Sequence, residues 1–167
     1  GNPKAPLIAE TGGLNAMIVD SSALPEQAVR DIVTAAFQSA GQRCSALRLL
    51  FVQSDIAEGL LSLLEGAMDE LCIGDPWDLK TDVGPVIDEE ARDVIEAHCQ
   101  KMEMQGRLIR KIKHPESAGF FVNPSAYLID SIADLEHEIF GPVLHVVTFE
   151  AEGIDDLVES INARGYG

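Results

Sequence analysis

Residues 36–52 read "AFQSAGQRCSALRLLFV", and two apolar periods meet inside them. Upstream, Val29, Ile32, Val33, Ala36, Phe37 and Ala40 recur at helical spacing as far as Gly41. Downstream, "LRLLFVQ" is a strand-like run that begins just after Cys44. Helix gives way to strand within a few residues, and a thiol occupies the joint. A cysteine wanted only for packing sits better within a helix or strand, whereas a reactive one belongs where a turn presents it. Gly41 lets the backbone turn closely at this point. Arg43 and nearby backbone N–H groups favour the thiolate, the nucleophilic form of cysteine.

The alternation extends in both directions. "NAMIVD" (residues 15–20) predicts a buried strand, and "SSALP" opens the helix with Pro25 in the first turn, where its missing N–H does no harm. Gly41 closes that helix. After the second strand, Ser54 is the expected cap of a helix carrying Ile56, Leu60, Leu63, Leu64, Met68 and Leu71. "GDPWD" and "DVGP" mark a loop anchored by Trp77, and another helix is predicted from about Asp88 to Gln105. His98 falls on the apolar face of that helix with Val94, Ile95 and Met102, the pattern of a packed core residue. "GRLIRKIK", "GFFVNPSAYLID" and "FGPVLHVVTFE" are strands, the second bent or placed at an edge by Pro124. "IDDLVESINARGYG" is a final helix. Strands alternating with helices predict an α/β layered fold with a mostly parallel sheet.

Twelve Lys and Arg stand against 28 Asp and Glu, a formal charge of −16. That excludes nucleic acid and anionic membrane as partners of this segment, because both require a basic footprint. No apolar run approaches membrane-spanning length, and "GNPKAPLIAETGG" carries no signal-peptide pattern, so no membrane insertion is expected. Cys44, Cys72 and Cys99 are odd in number, far apart and without CxxC spacing, which fits a reducing, cytoplasmic compartment. Cys72 and Cys99 lie on helix patterns and read as packing residues. The four histidines show no metal-ligand rhythm, and no metal is expected.

A second candidate group is Glu10 in "LIAETGG", a carboxylate at the end of an apolar segment beside flexible backbone, placed for general-base work. "ETGG", then "GQRC", then "EIFGPV" (residues 138–143) follow one another in an order and at spacings that resemble the aldehyde dehydrogenase superfamily. The narrower likeness, carried by "AETGGLNAMIVDSSALPEQAVRDIV" and "SAGQRCSALR", is to the dehydrogenase part of the bifunctional proline utilisation A enzymes. Those oxidise L-glutamate γ-semialdehyde, the hydrolysed form of pyrroline-5-carboxylate, to glutamate.

The resemblance implies a three-layer αβα sandwich, with residues 1–167 forming one partial, nucleophile-bearing catalytic domain. It implies Cys44 as the nucleophile that attacks the aldehyde carbon and Glu10 as the base that activates the hydrolytic water. NAD is the implied cofactor, with Glu138 bonding the nicotinamide ribose, Phe140 near the same end, and the backbone of Gly12 and Gly13 beside the nicotinamide. Ser45 is implied to hold the substrate carboxylate, with Arg43 grouped on the substrate side. The cofactor domain, an oxyanion-hole asparagine and a C-terminal substrate-anchoring and dimerisation segment are expected outside these residues. FAD enters only with a proline dehydrogenase domain upstream. The expected partners are therefore a small aldehyde, the remainder of a parent chain and, through uncovered apolar surface and sheet edges, further copies of itself. The segment alone is expected to be inactive. Two other readings stay open: a dehydrogenase of different aldehyde range, and a non-catalytic folding or oligomerisation module.

Overall fold

The computed structural model describes residues 12–114 and 119–165. The elements run β1 (Ala16–Val19), α1 (Pro25–Phe37), β2 (Leu49–Gln53), α2 (Ser54–Asp69), α3 (Glu89–Met104), β3 (Leu108–Lys111), β4 (Ser125–Leu128), β5 (Val143–Phe149) and α4 (Ile154–Asn162). The strands form one sheet in the order β1-β2-β5-β4-β3, parallel except where β3 pairs antiparallel with β4. The two central strands, β2 and β5, are almost continuously buried, as expected of a parallel sheet covered on both faces.

Two neighbouring residues of β3 show that the covering helices lie on opposite faces. Arg110 forks onto Asp69 of α2, at 2.8 and 2.6 Å. Lys111, the next residue, reaches Glu103 of α3 at 2.6 Å. Successive strand side chains point to opposite faces, so α2 and α3 sandwich the sheet and the fold is the αβα arrangement. On the α3 face, Tyr127 and His145 are paired in register, and Tyr127 OH donates to Glu103. On the other face α1 packs on α2, burying Val29, Ile32, Ala36 and Phe37.

Local chemistry sets the ends of the elements. Pro25 occupies the first turn of α1, and Asp88 caps α3 by accepting from Ala91 N–H at 2.8 Å. Glu89 and Glu90 add negative charge to the positive end of that helix dipole. Helix α1 ends in a short 3-10 turn, Gln38–Gly41, in which Ser39, Ala40 and Gly41 all have positive φ. Pro124 immediately precedes β4, which is an interior strand and not an edge.

Four expectations are corrected. Ser54 is the first residue of α2 rather than its cap; its hydroxyl donates to Glu150 at 2.8 Å and tethers α2 to the end of β5. Helix α2 stops at Asp69, so Cys72 lies beyond it and is exposed, its backbone held by Asp82, while Cys99 is buried as predicted. Trp77 is not an anchor among the described residues: its indole is 92% exposed, and the loop is closed by two aspartates that each accept from the N–H two residues on, Asp75 from Trp77 and Asp78 from Lys80. Val94 and Leu63 are solvent-facing, because each apolar stripe is narrower than its sequence suggests.

Candidate active site

Three chain segments converge at one end of the sheet for a topological reason. Gly13 and Asn15 immediately precede β1, Cys44 and Arg48 precede β2, and Glu138 and Phe140 precede β5. These strands are parallel, and β2 lies between the other two. Their approaches therefore arrive side by side, at the amino ends of the strands, although open α/β sheets usually place ligands at the carboxyl ends.

Cys44 and Ser45 form the exposed tip of a turn closed by Ala46 N–H donating to the Arg43 carbonyl at 3.0 Å. Asn15 grips that turn: its Nδ2 donates to the carbonyls of Cys44 at 2.6 Å and Ala46 at 2.8 Å. The Asn15 carbonyl in turn accepts from the N–H groups of Arg48 and Leu49, fixing β1 against β2. A Cβ on Gly13 would come 3.5 Å from the Cys44 carbonyl, so the glycine segment lies against the thiol-bearing turn. Arg43 directs its Nη2 to Gln38 at 3.0 Å, and its Nε is buried without a partner among the described residues.

Behind the turn lies an arginine. The side chain of Arg48 is fully buried and its guanidinium faces Glu138 Oε1 through both Nε and Nη2 at 3.0 Å. Nη1 donates to the Gly141 carbonyl at 3.2 Å and Nη2 to the Arg43 carbonyl at 3.4 Å. Cζ stands 5.1 Å from the centroid of the Phe140 ring. Burial pulls the guanidinium below its ordinary pKa, opposed by the hydrogen bond and charge of Glu138. The other carboxylate oxygen, Oε2, accepts from Gly13 N–H at 3.0 Å. A carboxylate offers about four acceptor sites; among the described residues Arg48 and Gly13 take three, leaving room for a hydroxyl donor. Phe140 is 45% exposed alongside. A carboxylate acceptor beside a partly exposed aromatic ring suits the hydroxyl of a sugar.

Of the residues singled out by sequence, Gly13, Cys44, Ser45, Glu138 and Phe140 are brought to this one place. Gly12 is exposed, with a φ of 159°. Glu10 lies outside the described residues. Arg48 and Asn15 were missed. A charge at the head of the apolar run "LRLLFV" was the available signal for Arg48. Beneath the site, His145 Nε2 lies 2.8 Å from His98 Nε2, and its Nδ1 lies 3.3 Å from the Arg48 carbonyl. His98 is therefore one member of a polar pair, partly buried, rather than a side chain packed among apolar groups. Among the described residues no cluster of His, Cys, Asp or Glu is placed to hold a metal, and no helix is long and apolar enough to cross a membrane.

The family model for the aldehyde dehydrogenase family matches residues 2–167. The bifunctional protein PutA of Klebsiella aerogenes is 52% identical over 174 residues, which cover 100% of this chain and 13% of that protein. The 1-pyrroline-5-carboxylate dehydrogenase of Geobacillus sp. strain WCH70 is 35% identical over 163 residues, 96% of this chain and 31% of the relative. A crystal structure of a bifunctional proline utilization A protein superposes with a TM-score of 0.92 at 50% identity, covering 99% of this chain and 17% of the other. The chain thus spans 13% of the length of the first of these curated relatives.

Proposed function

Because the chain belongs to the aldehyde dehydrogenase family, we propose that it is the nucleophile-bearing portion of a longer enzyme that oxidises L-glutamate γ-semialdehyde to glutamate with NAD. The observation that carries this reading is the convergence of an exposed thiol turn with a carboxylate held by Arg48 and Gly13. The substrate rests on the similarity to the PutA and pyrroline-5-carboxylate dehydrogenase chains and on Ser45, exposed beside the thiol.

In this reading the Cys44 thiolate adds to the aldehyde carbon, forming a C–S bond and a thiohemiacetal. Glu138 would hold the nicotinamide ribose by accepting a hydrogen bond from its hydroxyl, with Phe140 flanking the same end of the cofactor. The former aldehyde carbon would then lose its hydride to the nicotinamide, the acceptor NAD would supply when bound, leaving the acyl group on Cys44 as a thioester. Glu10 takes a proton from water as that water attacks the thioester carbon, and the Cys44 thiolate departs from the new carboxylate. Ser45 donates to the distal carboxylate of the substrate, with Arg43 on the same side. The remainder of the parent chain supplies the rest of the cofactor site, so the 167 residues alone turn over no NAD.

The test is NADH formation by the full-length protein with glutamate semialdehyde, acetaldehyde and succinate semialdehyde, in the parent and in Cys44→Ser. Preference for glutamate semialdehyde, lost in the variant by at least about a thousandfold, is the expected outcome. Cys44-dependent activity spread evenly over the three aldehydes overturns the substrate; activity indifferent to Cys44 overturns the mechanism.

A further inference from the structure

Arg48 connects parts of the site that lie far apart in the chain. Its side chain touches the carboxylate of Glu138, the carbonyl of Gly141 and the carbonyl of Arg43, which closes the Cys44 turn. A residue serving only to fill the head of β2 would be apolar, as Leu47 and Leu49 on either side are, because burying a guanidinium carries a large desolvation cost. Lysine has three donors but all on one nitrogen, so it cannot span acceptors that Arg48 meets with Nε, Nη1 and Nη2. The Phe140 ring lies near the same guanidinium.

We propose that Arg48 is a positioning residue that sets Glu138 and the Cys44 turn relative to one another, so that cofactor and nucleophile are aligned by one buried guanidinium. The proposal rests on the dehydrogenase reading for its kinetic test, and on geometry alone for its second test.

The experiment compares Arg48→Met, Arg48→Lys, Glu138→Gln and the Arg48→Met/Glu138→Gln double variant in the full-length protein. Arg48→Met is expected to lose about a hundredfold in kcat/KM, with a raised KM for NAD, and added guanidinium restores part of the loss. Arg48→Lys recovers little, and the double variant is no worse than the poorer single one, the mark of a shared interaction. A folded Arg48→Met protein with unchanged NAD KM, additive losses and no guanidinium rescue overturns the proposal. Should Arg48→Met fail to fold, Arg48→Lys carries the same comparison. If the parent protein makes no NADH in a Cys44-dependent way, the dehydrogenase reading fails, and Arg48 is judged by alkylation of Cys44 with iodoacetamide. A several-fold change in that rate on losing Arg48, reversed by guanidinium, supports positioning; an unchanged rate overturns it.

Discussion

A methyl group on Gly41 would lie 2.1 Å from the Gly141 carbonyl oxygen and 2.5 Å from its carbon. Both are backbone atoms, and Gly41 also has a φ of +64°. Gly41→Ala is expected to cost about 2–5 kcal/mol, combining left-handed strain with a clash that cannot relax by rotation; urea unfolding measures it. Gly66, exposed within α2 with nothing within 4 Å of its added Cβ, sets the contrast: Gly66→Ala should stabilise by about 0.5–1 kcal/mol through helix propensity. The turning role of Gly41 was legible, because a glycine after a helical period has few other uses. Its contact with Gly141 was not, since nothing local records a neighbour a hundred residues away. The same holds for Arg48: its charge is visible in the sequence, its partners only in the fold.

Between elements, the contact of α3 with β5 through His98 and His145 gives the fold an acid-sensitive seam. Burial first, then the charges of His137 and Lys101, lowers His98 to about 4. Burial first, then His98, lowers His145 to about 3. In the unfolded chain both titrate near the ordinary histidine value of about 6.5. Between these values the unfolded state binds more protons, so the contribution is intact above about pH 6.5 and is lost as pH falls toward 4 and then 3. His98→Gln, which removes one titrating ring, should flatten the decline in unfolding free energy between pH 6.5 and 4.5; equal slopes for parent and variant would refute the assignment. The elements themselves were largely readable, since strand and helix periods differ and Pro25, Asp88 and Pro124 punctuate them. Ser54 and Cys72 misled because a serine before a helix can stand at its cap or its first turn, and a helical period continues past Asp69 where the hydrogen bonds stop.

For the whole molecule, strand order decides function. The family motifs lie in three separate stretches, and the parallel set β1, β2 and β5 turns their separation into adjacency. That order was beyond the pattern of apolar residues, which gives strand number and parallel character but no neighbours. Apolar side chains remain exposed at Leu24 (62%) and at Leu63 (43%), the latter lining a cavity with Pro25, Ile56 and Leu60. The isolated 167-residue polypeptide is expected to self-associate through such surface. Leu63→Lys should shift its sedimentation toward the monomer, and a strictly monomeric parent at high concentration would contradict this.

Arg48 and Glu138 stand 90 positions apart. At the usual pace of bacterial and eukaryotic translation, about 5–20 residues per second, the counter-ion is made roughly 5–18 s after the arginine. During that interval β2 has no anion to receive its leading charge, and the thiol turn lacks the brace behind it. Until the approach to β5 has been made, Arg48 has no carboxylate to meet, so the three approaches can come together only when β5 joins the sheet.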